Sequence, residues 1–191
     1  LRTAILQFRK EPDTAKALSR IGLLYQESGL KAQAKDQLAR LEKNYGDSIY
    51  TFFLKAILAY EARNFSLAKS NFLYASDLPG LSSKAKANLL AAGACSAFAK
   101  GDVVQAINLS ERSLEFDRDY TIARMIKVDA LLKLDKKDQA AREILESLQS
   151  SLTMNMENKI PLDIDETFNL LASEESVRTS ETRLFEAISK N

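Results

Sequence analysis

Along this chain an alanine returns at a nearly fixed interval within amphipathic stretches. Ala34 recurs 34 residues later as Ala68, then after a slip of four as Ala106, then at the first interval as Ala140. Four residues beyond these stand Leu38, Phe72, Ser110 and Ile144, which puts each pair on one helix face. The pattern predicts helices over about 31–44, 65–77, 103–116 and 137–150. Each is preceded by another helix, the first running from about Asp13 to Glu27. There Leu18, Ile21, Gly22 and Tyr25 share one face. Gly22 leaves room for a neighbouring helix to approach, and Ala56 and Ala94 stand at the same place in the next two units.

The breaks are as regular as the helices. Ser28-Gly29, Lys100-Gly101 and Leu134-Asp135 each end five residues before a marker alanine, and Arg63-Asn64 begins five residues before one. Gly and Asn tolerate the left-handed conformation that ends a helix, and Asp135 does so less readily. Pro12, Gly46 and Pro79-Gly80 separate one helix pair from the next. Asp13, Asp47 and Ser82 are expected to cap the helices that follow them. The slip of four falls in Leu81-Ser82-Ser83-Lys84, where it lengthens a turn or extends the next helix.

Composition narrows what such a chain can do. Six Gly and three Pro among 191 residues are too few for a turn-rich β protein, and 46% apolar residues suffice for a core. The uncharged stretch from Ala87 to Ala99 is too short to span a bilayer. The absence of His removes the commonest general base and metal ligand. A lone cysteine, Cys95, excludes an internal disulfide and an all-cysteine metal site, and reads first as a small buried apolar residue. No phosphate loop, nucleophile elbow or zinc spacing occurs. No catalytic residue, metal or cofactor is therefore expected, and the chain does not read as an enzyme.

The formal charge of +1 conceals an asymmetry. Residues 1–100 hold 15 Lys and Arg against 8 Asp and Glu, whereas residues 101–191 hold 12 against 18. Such halves either steer head-to-tail association or simply decorate solvated faces. Neither is basic enough to argue for nucleic acid.

Taken together, these residues resemble the tetratricopeptide repeat (TPR) family of 34-residue helix–turn–helix units. The first unit matches best, through Leu18, Ile21, Gly22, Tyr25, Gly29, Ala34, Leu38 and Leu41. The second keeps Phe52, Ala56, Phe65, Ala68, Phe72, Ala75 and Pro79. The third keeps Leu90, Ala94, Gly101, Asp102 and Ala106. The fourth is degenerate, with Leu131, Ala140 and Ile144, or with a register slipped by one to Ala141, Leu145 and Leu148. The resemblance implies an all-α, right-handed superhelix of about four repeats, at about 13–46, 47–80, 85–118 and 119–152. Residues 1–12 read as the second helix of a truncated preceding repeat, as if the chain were excised from a longer array. Residues 153–191 read as a polar loop over Thr153–Lys159 and two capping helices, over Ile160–Leu171 and Arg178–Ile188.

In this family the first helices line a concave face, which implies a groove. The expected partner-binding residues are Leu23, Tyr50, Phe53, Leu54, Ile57, Tyr60, Phe98 and Met125. One branch of the family clamps a carboxylate of chaperone tails there with Lys, Asn and Arg. Here the corresponding places hold Ser19, Leu23, Leu54, Asn88 and Ala92, so that clamp is essentially absent. The function implied is protein–protein interaction: a scaffold, adaptor or assembly chaperone holding a hydrophobic segment of a partner protein. The alternative is a self-assembling module, head-to-tail or dimeric, whose groove is filled in cis by the stretch Ile160-Pro161-Leu162-Asp163-Ile164. Neither reading fixes a compartment.

Overall fold

The computed structural model describes residues 15–157, with side chains described as far as Ser147. It comprises α1 (Ala15–Glu27), α2 (Lys31–Tyr45), α3 (Ile49–Glu61), α4 (Phe65–Asp77), α5 (Ser83–Lys100), α6 (Val103–Phe116), α7 (Thr121–Lys133) and α8 (Lys137–Glu157). Every helix packs against the next, and α1 also packs against α3, as α5 does against α7. This is an all-α solenoid of helix pairs, with no strand among the described residues. Residues 1–14 and 158–191 lie outside that description, and with them the truncated preceding repeat, the Asp13 cap and the two capping helices.

The marker alanines explain why the pairs close. Ala34, Ala68, Ala106 and Ala140 are all buried. Ala141 is exposed, so the fourth unit keeps the unslipped register. Gly22 faces Leu54 of α3 so closely that an added β-carbon would lie 2.6 Å from Leu54 Cδ2. A side chain there would have to displace the end of Leu54. Ala56 and Ala94, at the same place, are likewise fully buried.

All four pairs turn with one motif. The N–H of Gly29 donates to Gln26 O at 2.9 Å and that of Leu30 to Tyr25 O at 2.8 Å. The same two bonds recur at Arg63 and Asn64, at Gly101 and Asp102, and at Asp135 and Lys136. They satisfy carbonyls that the ending helix leaves unpaired, and they require a left-handed residue. At the second turn that residue is Arg63 (φ 58°) and not Asn64; Asp135 adopts it at the fourth (φ 58°). Asn64 instead caps α4, its side chain accepting from Leu67 N–H at 3.2 Å. Ser48, not Asp47, caps α3 by accepting from Thr51 N–H, and Ser82 caps α5 as expected.

The strain at Arg63 is testable. A β-carbon in left-handed backbone costs about 1–2 kcal/mol, partly offset by the about 0.4–1 kcal/mol of extra unfolded-state entropy a glycine brings. Arg63→Gly should raise the thermal midpoint by about 1–3 °C, and Gly101→Ala should lower it. A fall in Arg63→Gly in differential scanning fluorimetry would show that Arg63 is held by contacts worth more than the strain.

The four-residue slip extends a helix. α5 has 18 residues where α1, α3 and α7 have 13. Ser113 on α6 donates its hydroxyl hydrogen to Ala87 O on α5 at 2.7 Å, within the core. At the other end α8 runs to Glu157, through most of the expected loop. Thr153–Glu157 contains neither Gly nor Pro, so nothing there stops it.

Candidate partner-binding groove

α3 carries most of the expected site, and it is apolar on nearly every face because protein surrounds most of it. On one side Phe52 stacks on Tyr74 at 5.6 Å between centroids, and Lys55 covers Phe52 while pairing with Glu42. On another, Phe53 meets the fully buried Phe72 edge-on at 6.2 Å. Phe53 and Ile57 contact two core clusters, one built from α1, α2 and α3, the other from α3, α4 and α5. They thus join successive repeats.

This burial corrects part of the expected groove. Leu23 and Leu54 are buried with Leu18 and Leu41, and Tyr60 is buried against Phe65. None of the three offers a wall that a partner could touch. In a solenoid a first helix meets its own partner helix and the pairs on both sides. Three flanks are consumed and only a narrow strip remains. Ser19, Ala91, Cys95 and Ile126 are buried for the same reason.

Two buried groups show how dry this region is. The Tyr60 hydroxyl has no hydrogen-bond partner among the described residues. Its pKa is pushed strongly up, by desolvation first and then by Cys95 and Glu61 nearby. The Cys95 thiol is pushed up to about 12, by burial first and then by Asp129. A thiol so held stays protonated and unreactive, as a small apolar residue would be.

The residues that keep partial exposure are Tyr50, Phe53 and Ile57 on α3 and Phe98 on α5. The Lys133 ammonium of α7 lies 4.9 Å from the Phe98 ring centroid. Tyr50 has a raised pKa, through desolvation, against which the charge of Arg20 acts. Met125 is exposed but belongs elsewhere, in a cleft between α7 and α8 with Val128 and Ile144. A charged group that the sequence did not disclose lies behind it. Arg124 and Lys127 of α7 pair with Glu143 of α8, Arg124 also with Glu146 and Lys127 with Glu111 of α6. These partners are 16 to 22 residues apart and on separate helices, beyond the reach of any local motif.

Among the described residues no group of three His, Cys, Asp or Glu side chains could hold a metal ion. No helix there is long and apolar enough to cross a membrane. No protein-family model matches the chain, and no curated protein matches it. Solved structures do. A crystal structure of MamA superposes with a TM-score of 0.65 at 16% identity, covering 80% of this chain and 90% of that one. A second crystal structure of MamA protein gives 0.65 at 15% identity, over 83% and 87%. At such identity the likeness is one of fold: this chain is an all-α helical repeat solenoid similar in fold to MamA.

Proposed function

We propose that this chain is a protein–protein interaction scaffold that holds an apolar helix or extended segment of a partner protein along the strip of Tyr50, Phe53, Ile57 and Phe98. The observation that carries this reading is the strip itself. Aromatic and aliphatic side chains on successive first helices keep part of their surface in solvent while Leu54, Ala56, Tyr60 and Cys95 beside them in sequence are buried. Apolar surface of that kind on a helical scaffold suits a partner's apolar anchors, and aromatics are frequent binding hot spots. Lys133 over Phe98 supplies a cationic rim that tolerates an acidic flank on the partner. An assembly-chaperone role is one form of this activity, in which the held segment belongs to a subunit awaiting its final partner.

The test compares Tyr50→Ala/Phe98→Ala with Val104→Ala, whose side chain is exposed on α6. Partners captured by the wild-type chain are identified, and their affinity is measured for each variant. Removing two hot-spot side chains should weaken binding at least about 30-fold, the equivalent of about 2 kcal/mol, and Val104→Ala should leave it unchanged. Equal affinity for both variants would refute the strip as the binding surface.

A further inference from the structure

The cleft between α7 and α8 has a volume of about 270 Å³ and is lined by Met125, Val128 and Ile144 above the Arg124–Glu143 pair. Met125 is 47% exposed and Ile144 45%. The repeat shows what such residues are for. At the place of Ile144 the two preceding repeats have Ser110 and Phe72, both fully buried, and at the place of Met125 the preceding repeat has Ala91, buried too. The cover in that preceding repeat is the next first helix: Ala123 and Ile126 of α7 pack with Ala91, Ala94 and Leu109. The α7–α8 cleft is therefore shaped as the seat of one more first helix.

We infer that the chain's own segment Ile160–Leu171, lying outside the described residues, docks in this cleft through Ile164, Phe168 and Leu171. Beyond Glu157 the chain continues for 34 residues, the length of one repeat. Ile164, Phe168 and Leu171 recur at spacings of four and three, the period of one helix face. Phe168, Leu171 and Ala172 repeat the spacing of Leu18, Ile21 and Gly22, by which α1 meets its neighbours. Pro161 falls between the end of α8 and that face, where a turn is needed. A segment used at this edge is not available to close the Tyr50–Phe98 strip, so the strip is left to a partner in trans. The inference itself stands whether or not the strip binds one.

The experiment uses the full chain with a photo-cross-linking benzoylphenylalanine in place of Met125. Isotopically light and heavy chains are mixed in equal amounts, irradiated and mapped by mass spectrometry. Cross-links from position 125 to the peptide spanning residues 160–175 are expected, all light–light or heavy–heavy. Light–heavy pairs would assign the cleft to a second copy, and cross-links that miss residues 160–175 would remove the segment from it; either overturns the inference. Phe168→Asp with Leu171→Asp should abolish the cross-link while the far-ultraviolet helix signal persists. A cross-link that survives this change would equally overturn it.

Discussion

Phe72→Ala is expected to destabilise the solenoid by about 3–5 kcal/mol, enough to lower the thermal midpoint by about 10 °C. Phe72 is fully buried and packs in the cluster that joins α3, α4 and α5. Three of its neighbours there, Ala56, Ala68 and Ala75, end at their β-carbons and cannot extend into the space a truncated ring leaves. The cavity stays open, and the cost follows its volume. Phe53 also loses its edge-on partner, so the strip of the proposed groove loosens with the core beneath it. Leu67→Ala on the same helix is the control: Leu67 is 50% exposed, and its loss should cost less than about 0.5 kcal/mol. Denaturant unfolding followed by circular dichroism measures both. A loss below about 1.5 kcal/mol for Phe72→Ala would mean the α3–α4–α5 junction relaxes around the gap. A double-mutant cycle with Phe53→Ala then apportions the effect, with about 0.5–1.5 kcal/mol expected for the ring pair.

What was legible in the sequence is what the repeat forces to recur. Ala34, Ala68, Ala106 and Ala140 mark where helices approach closely, and only a small residue fits, so the pattern survives changes in everything else. The turns were legible in position but not in detail. At Arg63-Asn64 the sequence suggests that Asn takes the left-handed backbone, yet the five-residue spacing from turn to marker fixes the conformation at Arg63 and leaves Asn64 to cap α4. Tertiary spacing overrides local preference there. The groove was legible only in outline. Periodicity separates the residues facing a helix's own partner from the rest, but not those facing the next repeat from those facing solvent. Leu23, Leu54 and Tyr60 were lost to the core for that reason, while Tyr50, Phe53, Ile57 and Phe98 kept an open side. Met125 had the right register and no following helix among the described residues, which moved it to the α7–α8 edge.

The weak fourth repeat has its own physical account, and it leads to the second large effect. Leu18, Phe52 and Leu90 hold one core position in the first three repeats, and Arg124 holds it in the fourth with 7% exposure. The apolar pattern fails there because an ion network takes its place. Arg124 Nη2 donates to Arg118 O at 2.6 Å, and Nη1 lies 3.6 Å from Glu143 Oε2 and 3.5 Å from Glu146 Oε2. Burial opposes the charge on Lys127, but the hydrogen bonds and the negative charges of Glu143 and Glu111 together outweigh it and hold its pKa above the ordinary lysine value. Removing one member of such a network strands another in a desolvated site. Arg124→Ala should therefore cost about 3 kcal/mol. This is the low end for a buried pair, because Glu143 keeps Lys127 and Glu146 is largely exposed. Replacing both charges, as Arg124→Leu with Glu143→Leu, restores the apolar residue of the other repeats and leaves Lys127 paired with Glu111. That variant should return to within about 1 kcal/mol of wild type. If the double variant is as unstable as Arg124→Ala in denaturant titrations, the position is not an ordinary repeat core site. The network would then hold α8 against α7 by itself, and with it the cleft assigned to Ile160–Leu171.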